Sequence, residues 1–156
     1  FFESFNQLEF EKAIGRKVNF CQDNQSLSNT GVVRGLHFQS PPHAQGKLVR
    51  VTQGSVLDVV VDIRPDSSTY GQHESFLLSA ENKKQLWVPE GFAHGFSTLE
   101  DQTIFQYKCT NYYHPSSEIS VLWSDGDLNI DWKVQDAKIS AKDESGIPWK
   151  EFNSPF

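Results

Sequence analysis

The sequence predicts an all-β sandwich or barrel of the jelly-roll kind with one short N-terminal helix and an irregular C-terminal tail. Three observations carry that reading. Short runs of alternating apolar residues are separated by turn residues, no long helical pattern alternates with them, and aromatics make up 13% of the chain, with twelve Phe and four Trp. At 156 residues the chain is expected to form a single domain, 1–156, long enough to bury a core without metal or disulfide staples.

In chain order, "SFNQLEFEKAIG" is the one convincing helix. Asn6 can cap it with Glu9 three residues on, Phe5 can staple onto Phe10, and Gly15 can end it. "GVVRGLHFQ" follows as a β-rich segment. "KLVRVTQ" and "SVLDVVVDI" flank Gly54, which predicts a hairpin between them. "ESFLLS", "QLWVP", "HGFSTL" and "QTIFQYKCT" then read as further strands at short spacing. From Asp131 onward sustained periodicity is lost, and an irregular packed tail is expected.

A formal charge of −6 argues against a non-specific nucleic-acid binder, which needs a basic stripe for phosphates. An anionic ligand would have to be held by a local basic cluster working against the overall field. No run approaches the eighteen or so apolar residues of a membrane span. Cys21 and Cys109 form no C-x-x-C pair and read as buried free thiols, which suits a cytoplasmic protein. The chain has no methionine, so residues are expected upstream of Phe1.

The segment "GVVRGLHFQSPPHAQGKLVR" gathers Arg34, His37, His43, Lys47 and Arg50 around a Gly and a Pro-Pro turn. In a regular strand Arg34 and His37 face opposite ways, and a bulge at Gly35 would let both reach one pocket. His37 reads either as a half-buried, satisfied histidine or as a functional one. Lys47 shares a strand face with Val49 and Val51, so it either enters a polar cavity or snorkels to water. In "QTIFQYKCT", period two puts Thr103, Phe105, Tyr107 and Cys109 on one face. Tyr107 therefore points into the barrel, as a core tyrosine or as part of a site.

"WVPEGFAHGF" contains P-x-G-x-x-H as Pro89, Gly91 and His94, and resembles the second motif of the cupin superfamily of small jelly-roll barrels. Metal-binding cupins also carry an H-x-H pair, where this chain has His-Phe-Gln at His37. One or two histidines do not make the usual three- or four-ligand site, so neither a metal nor another cofactor is expected.

A closer resemblance covers most of the chain, from Phe1 to Trp132. "FFESFNQ", "QDN", "RGLHFQ", "QGKLVRV", "GSVLDVVVDIR", "LSAENKKQLWVPEGFAHGF" and "YKCTNYYHPSSE" are similar, in order and spacing, to the dTDP-4-dehydrorhamnose 3,5-epimerase family. The resemblance implies a metal-free cupin-like barrel, generally a homodimer, that epimerises C3 and C5 of dTDP-4-dehydro-6-deoxy-D-glucose. By it, His37 is the base and Asp143 of "SAKD" its orienting partner. Lys47 stabilises the enolate oxygen, and Tyr107 is the acid on the opposite face. Arg34 would suit the pyrophosphate, and Tyr113 would stack on thymine. His94 would line the sugar site, with Glu3, Gln22, Asp23, Asn24, Glu118 and Lys142 as further substrate contacts. The family's D-x-R-G segment, whose arginine binds nucleotide, would lie ahead of Phe1. Two other readings share these residues: an epimerase acting on C3 or C5 alone, and a nucleotide-sugar-binding barrel without turnover.

Overall fold

A computed structural model describes all residues, 1–156. The chain order is α1 (Gln7–Ile14), β1 (Gln22–Ser28), β2 (Val33–Gln39), β3 (Lys47–Gln53), β4 (Ser55–Asp62), β5 (His73–Ser79), β6 (Gln85–Val88), β7 (Phe92–Thr98), β8 (Thr103–Cys109), β9 (Glu118–Ser120) and α2 (Ala141–Glu144). All pairings between these strands are antiparallel, and they form a four-stranded sheet, β1-β8-β3-β6, facing a five-stranded sheet, β5-β4-β7-β2-β9. No helix is long and apolar enough to cross a membrane.

Helix α1 forms where its local signals put it. The Asn6 side chain accepts from the Leu8 and Glu9 N–H groups, and Gly15 closes the helix at φ 71°. Phe5 lies 5.9 Å from Phe10, and both join Phe20 and Trp87 in an aromatic cluster that anchors the helix.

The hairpin expected at Gly54 does not form, because β3 and β4 belong to different sheets. Val49 and Val51 of β3 and Val56 of β4 share one core cluster with Leu78, Phe96 and Phe105. The two strands therefore bury their apolar faces against each other across the sandwich, and Gly54 carries the chain from one layer to the other at φ 74°.

That cluster fills one end of the space between the sheets. A larger one packs β2 and β4 residues such as Val33, Val59 and Val61 against Leu128, Trp132 and Phe152. The tail is thus irregular in path yet part of the core, tied down by parallel bridges Val32 to Lys138 and Val121 to Ile147. It also contains the short helix α2, which periodicity did not reveal. Both cysteines are free; Cys109 is buried, but Cys21, just ahead of the edge strand β1, stays half-exposed.

Strand β2 carries the bulge anticipated at Gly35. Arg34 stands opposite Phe96 and His37 opposite His94, so β2 spends three steps where β7 spends two. Gly35 adopts φ 118°, and a Cβ there would sit 2.6 Å from Gly95 Cα and 2.7 Å from the His94 carbonyl. Gly35→Ala is therefore expected to cost at least the roughly 1–3 kcal/mol of a strained backbone residue. Urea unfolding measures it, and unchanged stability would mean that the two strands can separate at no cost.

Candidate active site

Opposite the apolar end, the sheets enclose two adjoining cavities of about 220 and 240 Å³. His37, Lys47, Tyr107 and Glu118 line both, which makes them two lobes of one site. Arg34 and His94 line one lobe, and Gln22, Asn24 and Tyr113 the other. His37 comes from the five-stranded sheet, whereas Tyr107 and Lys47 come from the four-stranded one. Strand alternation explains the convergence: Thr103, Phe105 and Cys109, the apolar-face companions of Tyr107, are all buried.

His37 Nε2 pairs closely with Asp143 Oδ1, and the two side chains are 24% and 5% exposed. Asp143 is set by α2, where Ser140 caps the helix and bonds the Asp143 N–H. Burial pushes the Asp143 carboxyl up, but the hydrogen bond and charge of His37 outweigh it, helped by Ser140 and the Gly35 backbone, so its pKa lies below the usual carboxylate value. An ionised Asp143 accepts the Nε2 proton and leaves Nδ1 with a free lone pair.

A second His–Asp pair lies beside the first. His94 Nε2 is 3.0 Å from both Asp58 oxygens, and Asp58 is completely buried. Burial raises the Asp58 pKa, opposed by His94 and by the charge of Lys47. Burial lowers the Lys47 pKa, countered by Cys109, Glu118 and Asp58. Asp58 went unnoticed in the sequence, although an acid at an inward position of the otherwise apolar "SVLDVVV" is a signal. Asp62, in the same strand, shows why that signal is ambiguous: it holds Arg64, Ser67 and Thr69 in a loop and is structural.

At the mouth, Glu118 accepts from the Tyr113 hydroxyl at 2.7 Å and pairs with Lys142 at 2.6 Å. Burial raises its pKa, but Lys142, Tyr113 and His37 bring it below the usual value. Arg34 reaches only the Ser28 hydroxyl, at 3.4 Å, so its guanidinium remains available for an anion. Two predicted substrate contacts lie elsewhere. Asp23 alternates away from Gln22 and Asn24, pairs with Lys108 at 3.1 Å, and belongs to a groove of about 310 Å³ that shares Asn24 and Tyr107 with the site but not His37 or Lys47. Glu3 is exposed beside α1, where it accepts from Asn6. No group of three or more His, Cys, Asp or Glu side chains is arranged to hold a metal ion.

The sequence model of the dTDP-4-dehydrorhamnose 3,5-epimerase family matches residues 1–151. The chain belongs to the dTDP-4-dehydrorhamnose 3,5-epimerase family. The dTDP-4-dehydrorhamnose 3,5-epimerase of Salmonella typhimurium is 60% identical over 144 residues, which are 92% of this chain and 79% of the relative. That of Shigella flexneri is 57% identical over 146 residues, 94% of this chain and 81% of the relative. Among solved structures, a dTDP-6-deoxy-D-glucose-3,5-epimerase from Legionella pneumophila, in complex with dTDP-4-keto-L-rhamnose, superposes with a TM-score of 0.94 at 47% identity. It covers 98% of this chain and 81% of that one. The fold is accordingly the cupin-like jelly roll, and this epimerase-family chain is an enzyme of the isomerase class.

Proposed function

We propose that the chain converts dTDP-4-dehydro-6-deoxy-D-glucose to dTDP-4-dehydro-L-rhamnose by inverting C3 and C5. One observation carries this reading. His37 and Tyr107 project from opposite sheets into one cavity, and Lys47, on the strand beside that of Tyr107, lines it with them. A base and an acid on facing walls are what inversion at carbon requires.

The hydrogens at C3 and C5 are acidic only because the C4 ketone can accept the electron pair. His37 Nδ1 takes the proton, the pair moves into an enolate with its charge on O4, and the Lys47 ammonium stabilises that oxygen. Tyr107 then delivers its hydroxyl proton to the opposite face of the carbon. Solvent resets the pair by taking the proton from His37 and returning one to Tyr107, after which the second carbon can react. Arg34, free at the mouth, suits the pyrophosphate.

Turnover in deuterated water tests the reading. Label at both C3 and C5 is expected. Label at one carbon would select a mono-epimerase, and label at neither a binding protein. Steady-state kinetics separate the two cations. Lys47→Ala is expected to cut kcat by about 10²–10³, the usual loss when an oxyanion partner is removed. Arg34→Ala should mainly raise KM, because a phosphate contact is made in ground and transition states alike. The alkaline loss of kcat belongs to Lys47, whose pKa burial lowers, and not to Tyr107, whose pKa burial raises. The opposite kinetic pattern would exchange the two roles.

The assembly that fits this reading is a homodimer acting in the cytoplasm. Glu3 lies outside the cavity of its own chain. A substrate contact at Glu3 therefore calls for the site of a second copy. The free thiols suit a reducing compartment.

A further inference from the structure

We propose that Gln22 and Asn24 are positioning residues for the acid, forming a one-way hydrogen-bond chain that leaves the Tyr107 hydroxyl free to donate only into the cavity. The inference rests on the assignment of Tyr107 as the acid, and it gives the two amides a role beyond contact with nucleotide.

The chain starts at a group whose direction is not in doubt. The Tyr113 backbone N–H can only donate, and it donates to Gln22 Oε1 at 3.0 Å. That contact fixes which end of the Gln22 amide is oxygen, so Nε2 is the end that donates to Asn24 Oδ1 at 3.0 Å. Asn24 is fixed in turn, because the oxygen that accepts from Gln22 leaves Nδ2 to point onward. Nδ2 donates to the Cys109 sulfur at 3.6 Å. Burial pushes the Cys109 thiol up to about 11, so it remains a neutral thiol and a weak acceptor.

Nδ2 carries a second hydrogen that Cys109 does not take, and it is available to Tyr107. Asn24 and Tyr107 stand directly opposite in the β1–β8 ladder, and both side chains line the same lobe of the cavity. Burial raises the Tyr107 pKa, with Cys109 and Glu118 adding to it, while Arg34 and the neighbouring Asn24 amide draw it back. An amide nitrogen accepts nothing. The phenol oxygen can therefore receive from Asn24 but cannot give its proton back. Had the amides been reversed, the Asn24 carbonyl would face the phenol, and the proton needed for carbon would be spent on it.

Gln22→Glu tests the direction of the chain from a distance. The residue keeps its size, but a carboxylate only accepts, so it takes the Tyr113 N–H and demands a hydrogen from Asn24. The Asn24 amide turns over to supply it and presents its carbonyl to Tyr107. The readout is the ratio of inversion to solvent-deuterium wash-in at saturating dTDP-4-dehydro-6-deoxy-D-glucose, since wash-in requires only His37. The ratio is expected to fall about tenfold, a fraction of what a general acid contributes in full. Gln22→Met cuts the chain without reversing it, so Asn24 keeps its native orientation part of the time and the loss should be smaller. Retained wash-in, together with an unchanged far-UV circular dichroism spectrum, shows that each variant is folded and takes up substrate. An unchanged ratio in both variants, with only dTDP affinity altered, would overturn the relay and leave the reaction assignment standing. A native protein that neither inverts nor exchanges would overturn both.

Discussion

Replacing His37 by Asn is expected to abolish both epimerisation and solvent-deuterium exchange. Asparagine can still hydrogen-bond Asp143 and occupies much of the same space, but it has no basic nitrogen at neutral pH. General acid-base groups contribute on the order of 10²–10⁴-fold, and here every later step waits on the first proton. The geometry names the rival: His94 stands directly across the ladder from His37 and lines the same site. His94 Nε2, however, is shared between both Asp58 oxygens in a buried setting, which suits a fixed hydrogen-bonding group better than one that cycles its proton. Asp143, by contrast, lies where the dyad is partly open to solvent, so a protonated His37 can be reset. Proton NMR of substrate incubated in deuterated water measures both activities. Exchange persisting in His37→Asn while failing in His94→Asn would move the base to His94.

How far this site could be read from the sequence depends on what each residue does for the fold. Helix α1 was fully legible because its cap, staple and terminator are local: Asn6, Phe5 with Phe10, and Gly15 act within a few residues. Strands β3 to β8 were legible because one face of each is apolar. Strand β1 was not singled out as a strand, since its inward positions are Gln22, Asn24 and Ser26, which face a polar cavity instead of core. The departure from hydrophobic alternation that hides the strand is itself a mark of the site. The Gly54 turn misled because a glycine between two alternating runs looks the same whether the strands pair edge to edge or stack across a sandwich. Which of the two occurs depends on long-range partners, β8 for β3 and β7 for β4. Asp143 came from the family resemblance alone. It sits in a four-residue helix inside an irregular tail, and the packing that brings α2 to β2 involves Trp132 and Phe152, far from any local signal. The bulge at Gly35 lay between these extremes, for the need to turn Arg34 and His37 to one side could be stated from two residues and a glycine.

Tyr107→Phe is expected to separate the two halves of the reaction. Phenylalanine keeps the ring, which packs 6.0 Å from Phe105 and lies 5.9 Å from the Lys47 ammonium, so the cavity wall should stay in place. Only the hydroxyl is lost. His37 can still remove the proton to give the Lys47-stabilised enolate, and it can return a solvent-derived deuteron to the same face. Substrate therefore gains label without changing configuration, while epimer formation falls by about 10²–10⁴. The raised pKa of Tyr107 strengthens the argument, because burial keeps the phenol protonated above its ordinary value near 10 and thus able to donate throughout the working range. Deuterium content by mass spectrometry and configuration by proton coupling constants give the two rates from one incubation. An equal fall in exchange and inversion, with the fold and dTDP binding intact, would place Tyr107 in proton removal as well and require the division of labour between the facing walls to be redrawn.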